Sequence, residues 1–241
     1  MENKYTSDEL FHFVGHGSPD DHAMNYQILV AIMKSGCITH DKNDLSWGPV
    51  KYTADWTKDL HSEELVVPAI TCYAEIPRGS LGTHVSKYGK FGIGLSKDFL
   101  IKYGARPVTY IPMTSQDHGS PYGTELLSDI AAVGRAHEKL KNHFQTREHQ
   151  SRALTQEPTY TDQTITAMQS IFIKDFLAFI KPFNAELAPS DLHNYYMERE
   201  WRKLGNIRFN LDDVTCIFLE DSFQEQFKKD FPSYKADICL I

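Results

Sequence analysis

Two stretches of this chain carry residues whose types and spacing suit chemistry. The first is Leu10–Ser18, "LFHFVGHGS", where an apolar strand-like run holds His12 at its centre. Gly15, His16 and Gly17 follow where a buried strand should end. An imidazole so placed can donate to a ribose hydroxyl, and a glycine beside Phe13 lets backbone groups approach an amide ring closely. The plainer reading is a core histidine satisfied within the fold. The second stretch is Tyr195–Arg202, "YYMEREWR". Read as a strand, it puts Tyr196, Glu198, Glu200 and Arg202 on one side and Met197, Arg199 and Trp201 on the other. Two carboxylates two steps apart then stand about 7 Å from each other. One can grip a sugar hydroxyl or a nucleophile while the other orients it. The plainer readings are a solvated edge strand, or a helical turn in which Glu198 and Arg202 form an i,i+4 ion pair.

Other chemistries find less support. No Walker A or GxSxG sequence is present, and the glycines of "YGKFGIG" do not follow GxGxxG spacing. The eleven histidines include His12 and His16 four apart, but across strand and turn, and HExxH is absent. No metal is therefore expected. Asp20 and Asp21 with Glu200 keep a Mg²⁺-dependent nuclease as a lesser alternative, because that chemistry needs carboxylates converging on one point.

The elements that must position these groups follow from pattern. At 241 residues, 41% hydrophobic and 24% charged, the chain can bury a sizeable core, and a net charge of −7 does not advertise a polyanion partner. Four dispersed cysteines (Cys37, Cys72, Cys216 and Cys239) read as reduced, buried thiols of a cytoplasmic protein. No apolar signal core or membrane-length run is seen. Leu10–Val14 reads as a strand. A helix over Asn25–Lys34 follows, with Ile28, Leu29, Ile32 and Met33 on one face and Ser35-Gly36 as its stop. Thr39–Leu65 reads as a long loop, and "VVPAITCYAEI" as strand material. "PRGSLGTH" reads as a turn-rich link. Phe91–Leu95 is a strand, the helix after it ends before Gly104, and "PVTYIPM" is another strand. Thr124–Phe144 and Ile165–Phe183 are predicted helices, the second with Ile165, Met168, Phe172, Phe176, Phe179 and Phe183 in one stripe. The last third returns to strands in "EREWRKL", "NIRFN" and "VTCIFLE", then a helix stopped by Pro232. The order predicts an α+β fold in a single domain, 1–241, with a helical insertion or lobe over 124–190.

Several segments together resemble a known family. "LFHFVG", a helix ending in Ser-Gly, "CYAEIP", "HVSKYGKFGIGLSKDFLIKYGARPVTYIP", "EREWR" and "VTCIFLE" are similar to the AbiGi-type abortive phage-infection proteins of bacteria, often labelled antitoxins. The most specific part is the His-x-x-x-Tyr-Gly-x-x-Gly-Ile-Gly-x-x-Lys block from His84 to Lys97. The resemblance implies an anti-phage role and, under the antitoxin label, a non-catalytic chain that restrains a toxin partner. A looser resemblance is to ADP-ribosyltransferases, which implies a split mixed or antiparallel sheet core with NAD as substrate. On that reading His12, or His16 of "HGS", meets a ribose of NAD. The backbone at Gly15 or Gly17 bonds the carboxamide, Phe13 belongs to the same cofactor site, and Tyr88 or Phe91 stacks on nicotinamide. Glu200 stabilises the oxocarbenium-like state, Glu198 orients the acceptor, and Arg202 binds pyrophosphate or pairs with Glu200. The acceptor would be a nucleic-acid base, a protein side chain or water, and the Thr39–Leu65 loop would cover the site. The Ser-Thr-Ser element of the arginine-modifying class is missing.

Overall fold

The computed structural model describes residues 6–41, 51–55, 57–58, 66–113, 122–151 and 160–241. Two compact units result: Met1–Pro49, Ala69–Val108 and Leu187–Ile241 form one, and Val50–Pro68 and Thr109–Glu186 form the other. In chain order the elements are β1 (Glu9–Phe13), α1 (His22–Ser35), β2 (Cys37–Ile38), β3 (Tyr52–Ala54), β4 (Val66–Pro68), β5 (Ile70–Ala74), α2 (Gly82–Tyr88), β6 (Gly92–Ser96), α3 (Lys97–Lys102), β7 (Arg106–Pro107) and β8 (Thr109–Met113). Then follow α4 (Tyr122–Ser151), α5 (Tyr160–Ile171), β9 (Ile180–Asn184), β10 (Glu200–Leu204), β11 (Ile207–Arg208), β12 (Val214–Leu219), α6 (Gln224–Asp230) and β13 (Asp237–Leu240). The class is α+β.

The first unit is organised by a seven-stranded mixed sheet in the order β13-β12-β6-β1-β5-β10-β7. Only β12 and β13 run parallel; each other neighbouring pair is antiparallel. Alternation along β1 sends Leu10 to one face and Phe11 and Phe13 to the other. On the first face Leu10 meets Leu29 and Met33 of α1, Ile93 and Leu95 of β6, and Ile217 of β12. Each such fully buried aliphatic side chain contributes about 1.5–3 kcal/mol. The opposite face holds Phe11, Phe13, Ala74, Leu81, Cys216 and Phe218. There Phe218 meets Phe11 edge-on and Phe13 stacked, both with ring centroids 5.1 Å apart. Gly92 and Gly94 lie under these rings, since a Cβ on Gly94 would stand 2.5 Å from Cys216 Sγ, and one on Gly92 3.0 Å from the Phe13 ring. The glycines of "GIG" therefore make room for aromatic packing.

Helix α1 begins three residues before its expected start because the Asp21 side chain accepts from Met24 N at 3.0 Å, and it stops at the left-handed Gly36 as expected. Its Tyr26 hydroxyl donates to Asp230 at the end of α6, at 2.6 Å. Arg78 grips Glu9 of β1 with two bonds of 2.6 and 2.8 Å and Asp237 of β13 at 2.9 Å. It thereby ties the C-terminal strand, which pattern reading does not foresee, to the centre of the sheet.

Several expectations are corrected. "VVPAITCYAEI" is two strands, β4 pairing with β3 and β5 joining the large sheet. The Thr39–Leu65 loop contains β3; its parts at 42–50, 56 and 59–65 lie outside the described residues. "PRGSLGTH" is a helical turn at Arg78–Ser80 followed by the start of α2. Cys72 is exposed rather than buried, while Cys37 and Cys216 are buried as expected. Burial pushes the Cys216 thiol up to about 12, so it stays protonated.

In the second unit β8 and β9 pair in parallel and β3 and β4 antiparallel. Helix α5 stops at Ile171, runs through a π-turn over Phe172–Phe176 and a short helical turn over Leu177–Phe179, and becomes β9. The predicted Ile165–Phe183 helix is present as far as Phe179, and only Ile180–Phe183 turns to strand; its buried face differs, because a second stripe, Gln169, Ile173 and Leu177 at four-residue spacing, is the buried one. Met168 and Phe176 point outward, 55% and 62% exposed. Pro182 also cannot sit inside a helix. Among the described residues no helix is long and apolar enough to cross a membrane.

Candidate functional site

Glu198 and Glu200 do not share a strand. Tyr195–Glu198 is a helical turn, Arg199 adopts the left-handed conformation (φ 47°, ψ 53°), and β10 begins only at Glu200. The expected Glu-x-Glu face is broken by that kink, whose Arg199 carbonyl accepts from Glu75 N at 3.1 Å.

Each carboxylate has its own cation. Glu198, buried, accepts at the same Oε1 from Lys87 Nζ at 2.5 Å and from the Tyr88 hydroxyl at 2.7 Å. Lys87 Nζ also stands 3.9 Å from the Tyr195 ring centre, a cation–π contact. Helix α2 presents Lys87 and Tyr88 together at its last turn. The Tyr88 ring is engaged as well, with His16 stacked at 5.7 Å and His84 at 4.6 Å. Glu200, also buried, takes two bonds from its strand neighbour Arg202, at 2.7 Å from Nε and 3.4 Å from a terminal nitrogen. The in-strand pairing foreseen as one option for Arg202 is thus the arrangement present. Glu75 is a third buried carboxylate, and pattern reading passes over it. It bonds Lys97 Nζ and Trp201 Nε1, each at 2.7 Å. The signal for it lies in its place, directly after the β5 run in "CYAEIP".

His12 stands apart from the two late glutamates. In the antiparallel register His12 faces Ile93, and Phe11 faces both Gly94 and Ala74. Ala74 in turn faces Glu200. Directly paired residues share a face and consecutive residues do not. Glu200 and Arg202 therefore lie on the Phe11 face, while His12 lies on the α1 face against Tyr73, ring centres 5.8 Å apart. The His12 Nδ1 lies 2.9 Å from the Cys72 carbonyl, which only accepts, so Nδ1 carries the proton. Burial lowers the His12 pKa, opposed by this bond, and the ring is neutral near pH 7.

The remaining expected residues serve the scaffold. Phe13 packs against Phe218 and edge-on to His84 at 5.0 Å. Phe91 is fully buried in the first core. Gly15 is glycine because its chain crosses the end of α2. Its N–H donates to the Tyr88 carbonyl at 2.9 Å, and an added Cβ would stand 2.4 Å from that oxygen. The structure thus brings Tyr88 to Glu198 and Arg202 to Glu200, and it separates His12 from both pairs. Among the described residues no group of three or more His, Cys, Asp or Glu is placed to hold a metal ion. Asp21, one of the carboxylates considered for a nuclease, is the cap of α1.

What the Lys87–Tyr88–Glu198 group can do is latch three chain segments together: the β1–α1 turn through His16, the end of α2, and the turn before β10. A carboxylate already charge-paired and hydrogen-bonded is a poor proton acceptor, because protonation would forfeit both interactions.

Comparison with known proteins places the molecule. A family model described as abortive phage resistance protein AbiGi, antitoxin, matches residues 49–236, which includes the His84–Lys97 block, Glu198 and Glu200 but not the "LFHFVG" strand. No curated protein and no solved structure matches the chain. On a match covering most of its length, the chain belongs to the AbiGi family of abortive phage resistance proteins.

Proposed function

We propose that this protein acts as a non-catalytic antitoxin, which binds a partner protein and restrains it during abortive infection. The observation that carries the reading is the separation of His12 from Glu200 by the sheet, one on each face, while His16, the alternative ribose ligand, is stacked on Tyr88, whose hydroxyl is given to Glu198. A glycosyl transfer needs the ribose-holding group and the carboxylate on one side of the same bound dinucleotide. Support comes also from the closure of both late glutamates by Lys87 and Arg202, and from the antitoxin description of the family. An ADP-ribosyltransferase-like core that has lost its chemistry is compatible with this role; the α+β sheet would then serve as scaffold.

The test pairs two measurements on the full chain. Titration calorimetry with NAD⁺, with nicotinamide release followed in parallel, is expected to give no heat and no product from wild type or Glu200→Gln. Affinity purification of the tagged chain from cells carrying the abortive-infection locus is expected to bring down a stoichiometric protein partner. Nicotinamide release by wild type that Glu200→Gln abolishes would overturn the reading in favour of the transferase.

A further inference from the structure

The large sheet ends differently at its two edges. At one edge β7 is two residues long, and Val108, whose N–H donates to the Glu200 carbonyl at 3.0 Å, sets the alternation that turns the Pro107 nitrogen outward. A proline there offers no donor, so that edge is closed to a further strand. At the other edge β13 has no strand beyond it among the described residues. It pairs in parallel with β12 from Cys216↔Asp237 to Leu219↔Leu240, and the Ile241 N–H donates to the Leu219 carbonyl at 3.0 Å. The N–H and C=O of one strand residue point to the same side, and those of the next residue to the other. Asp237, Cys239 and Ile241 therefore bond towards β12, while Ile238 and Leu240 turn both backbone groups outward.

The devices that guard an edge strand are missing from β13. Its sequence, "DICL", holds no lysine or proline, and its register with β12 is unbroken. Its charged residue, Asp237, is held by Arg78 at 2.9 Å. Both faces of the strand are apolar: Ile238 packs on the core beneath α1, and Cys239 and Ile241 pack on the side of Phe11 and Phe218. Leu240 is 41% exposed. An apolar face accepts occupants of many shapes, but outward N–H and C=O groups in strand register are matched by another extended backbone. We infer that the protein restrained by this chain docks by adding a strand to the outer edge of β13, with apolar side chains on both faces of that added strand. This rests on the antitoxin reading above, which calls for a foreign strand where a second copy of β13 would also satisfy the hydrogen bonds.

Two measurements on the full chain test the inference. Amide exchange followed by NMR is expected to be fast at Ile238 and Leu240 in the free chain and slow at Cys239 and Ile241. Addition of the protein that copurifies with the tagged chain should slow Ile238 and Leu240 by roughly tenfold or more. Slow exchange at both in the free chain would overturn the inference, and a dimer in sedimentation equilibrium would then name a second copy as the occupant. Leu240→Pro removes an outward donor and leaves the bonds to β12 in place. It should weaken binding of the copurified protein, measured by calorimetry, by roughly tenfold or more, with the urea midpoint unchanged. Leu240→Lys keeps the backbone donor but sets a charge on the edge, and should weaken binding too. Binding by both variants as tight as wild type would overturn strand addition and leave the antitoxin reading standing, whereas a chain that brings down no partner would overturn both.

Discussion

If Glu198 is held for structure, its replacement by glutamine must cost stability. The carboxylate bonds Lys87 Nζ at 2.5 Å and Tyr88 OH at 2.7 Å, with side-chain exposures of only 10% for Glu198 and 19% for Lys87. Exposed ion pairs contribute about 0.2–1 kcal/mol, and breaking a buried one by removing a single partner costs about 3–5 kcal/mol. This pair lies between the two, closer to the buried case. Glutamine keeps an oxygen for Tyr88 but leaves the Lys87 ammonium without its counter-charge, so Glu198→Gln should cost about 2 kcal/mol. Glu198→Ala, which also orphans the tyrosine hydroxyl, should cost about 3 kcal/mol. Lys87→Met combined with Glu198→Gln should fall short of the sum of the single effects by about 1–2 kcal/mol. Urea unfolding followed by circular dichroism measures these differences as shifts in midpoint at constant slope. The corresponding fall in thermal midpoint for Glu198→Gln is about 4–8 °C at this chain length. A Glu198→Gln variant as stable as wild type, or singles that simply add, would refute the latch. Loss of a nicotinamide-releasing activity without loss of stability would do so more pointedly, by placing the carboxylate in catalysis.

Gly94→Ala should lower stability by about 1–3 kcal/mol, since its Cβ would meet Cys216 Sγ at 2.5 Å; a neutral effect in urea titration would mean the aromatic face has slack that the packing denies. His12 predicts a pH dependence. Burial lowers its folded pKa, so above about pH 6.5, the unfolded value, both states are neutral and it contributes nothing. As pH falls below that, the unfolded chain takes a proton the folded chain refuses, and stability drops until the lowered folded pKa is reached. His12→Gln should remove this component, and identical slopes for wild type and variant between pH 7.5 and 5.5 would count against it. Among the thiols, Cys72 is exposed and Cys37 and Cys216 are buried, so a thiol reagent should label Cys72 fast in the native chain; rapid modification at Cys216 would contradict the described core.

Elements with one dominant signal are legible in the sequence. Helix α1 has its apolar face and its Gly36 stop, β6 its position between Gly89 and a capped helix, and α3 its Ser96 cap, which accepts from Phe99 N at 3.2 Å. Legibility fails where two patterns compete. Met168, Phe172 and Phe176 make one helical stripe and Gln169, Ile173 and Leu177 another, and only tertiary burial chooses the second, polar Gln169 included. Helix α2 hides among glycines, yet Leu81, Val85 and Tyr88 at steps of four and three foretell its packed face. β13 is invisible because its stability comes from β12 and from Arg78, both distant in sequence.

The candidate site was harder to read for a reason particular to sheets. Order along the chain (a histidine strand, a tyrosine, a late glutamate) survives in the structure, because neighbouring strands bring β1, β5 and β10 side by side. Whether such residues share a face depends on parity, and one residue decides it. Phe11 stands level with Ala74, and Ala74 with Glu200, so a histidine at position 11 or 13 would have faced the glutamate's side. At position 12 the ring turns to Tyr73 and the Cys72 carbonyl instead. The phenylalanines that flank it fill the Glu200 face, and Gly92 and Gly94 are the space they need. Histidine and glycines at the end of a buried strand are then what packing demands there: a ring nitrogen bonded to the next strand, Gly15 where the chain crosses the end of α2, and room beneath three aromatic rings.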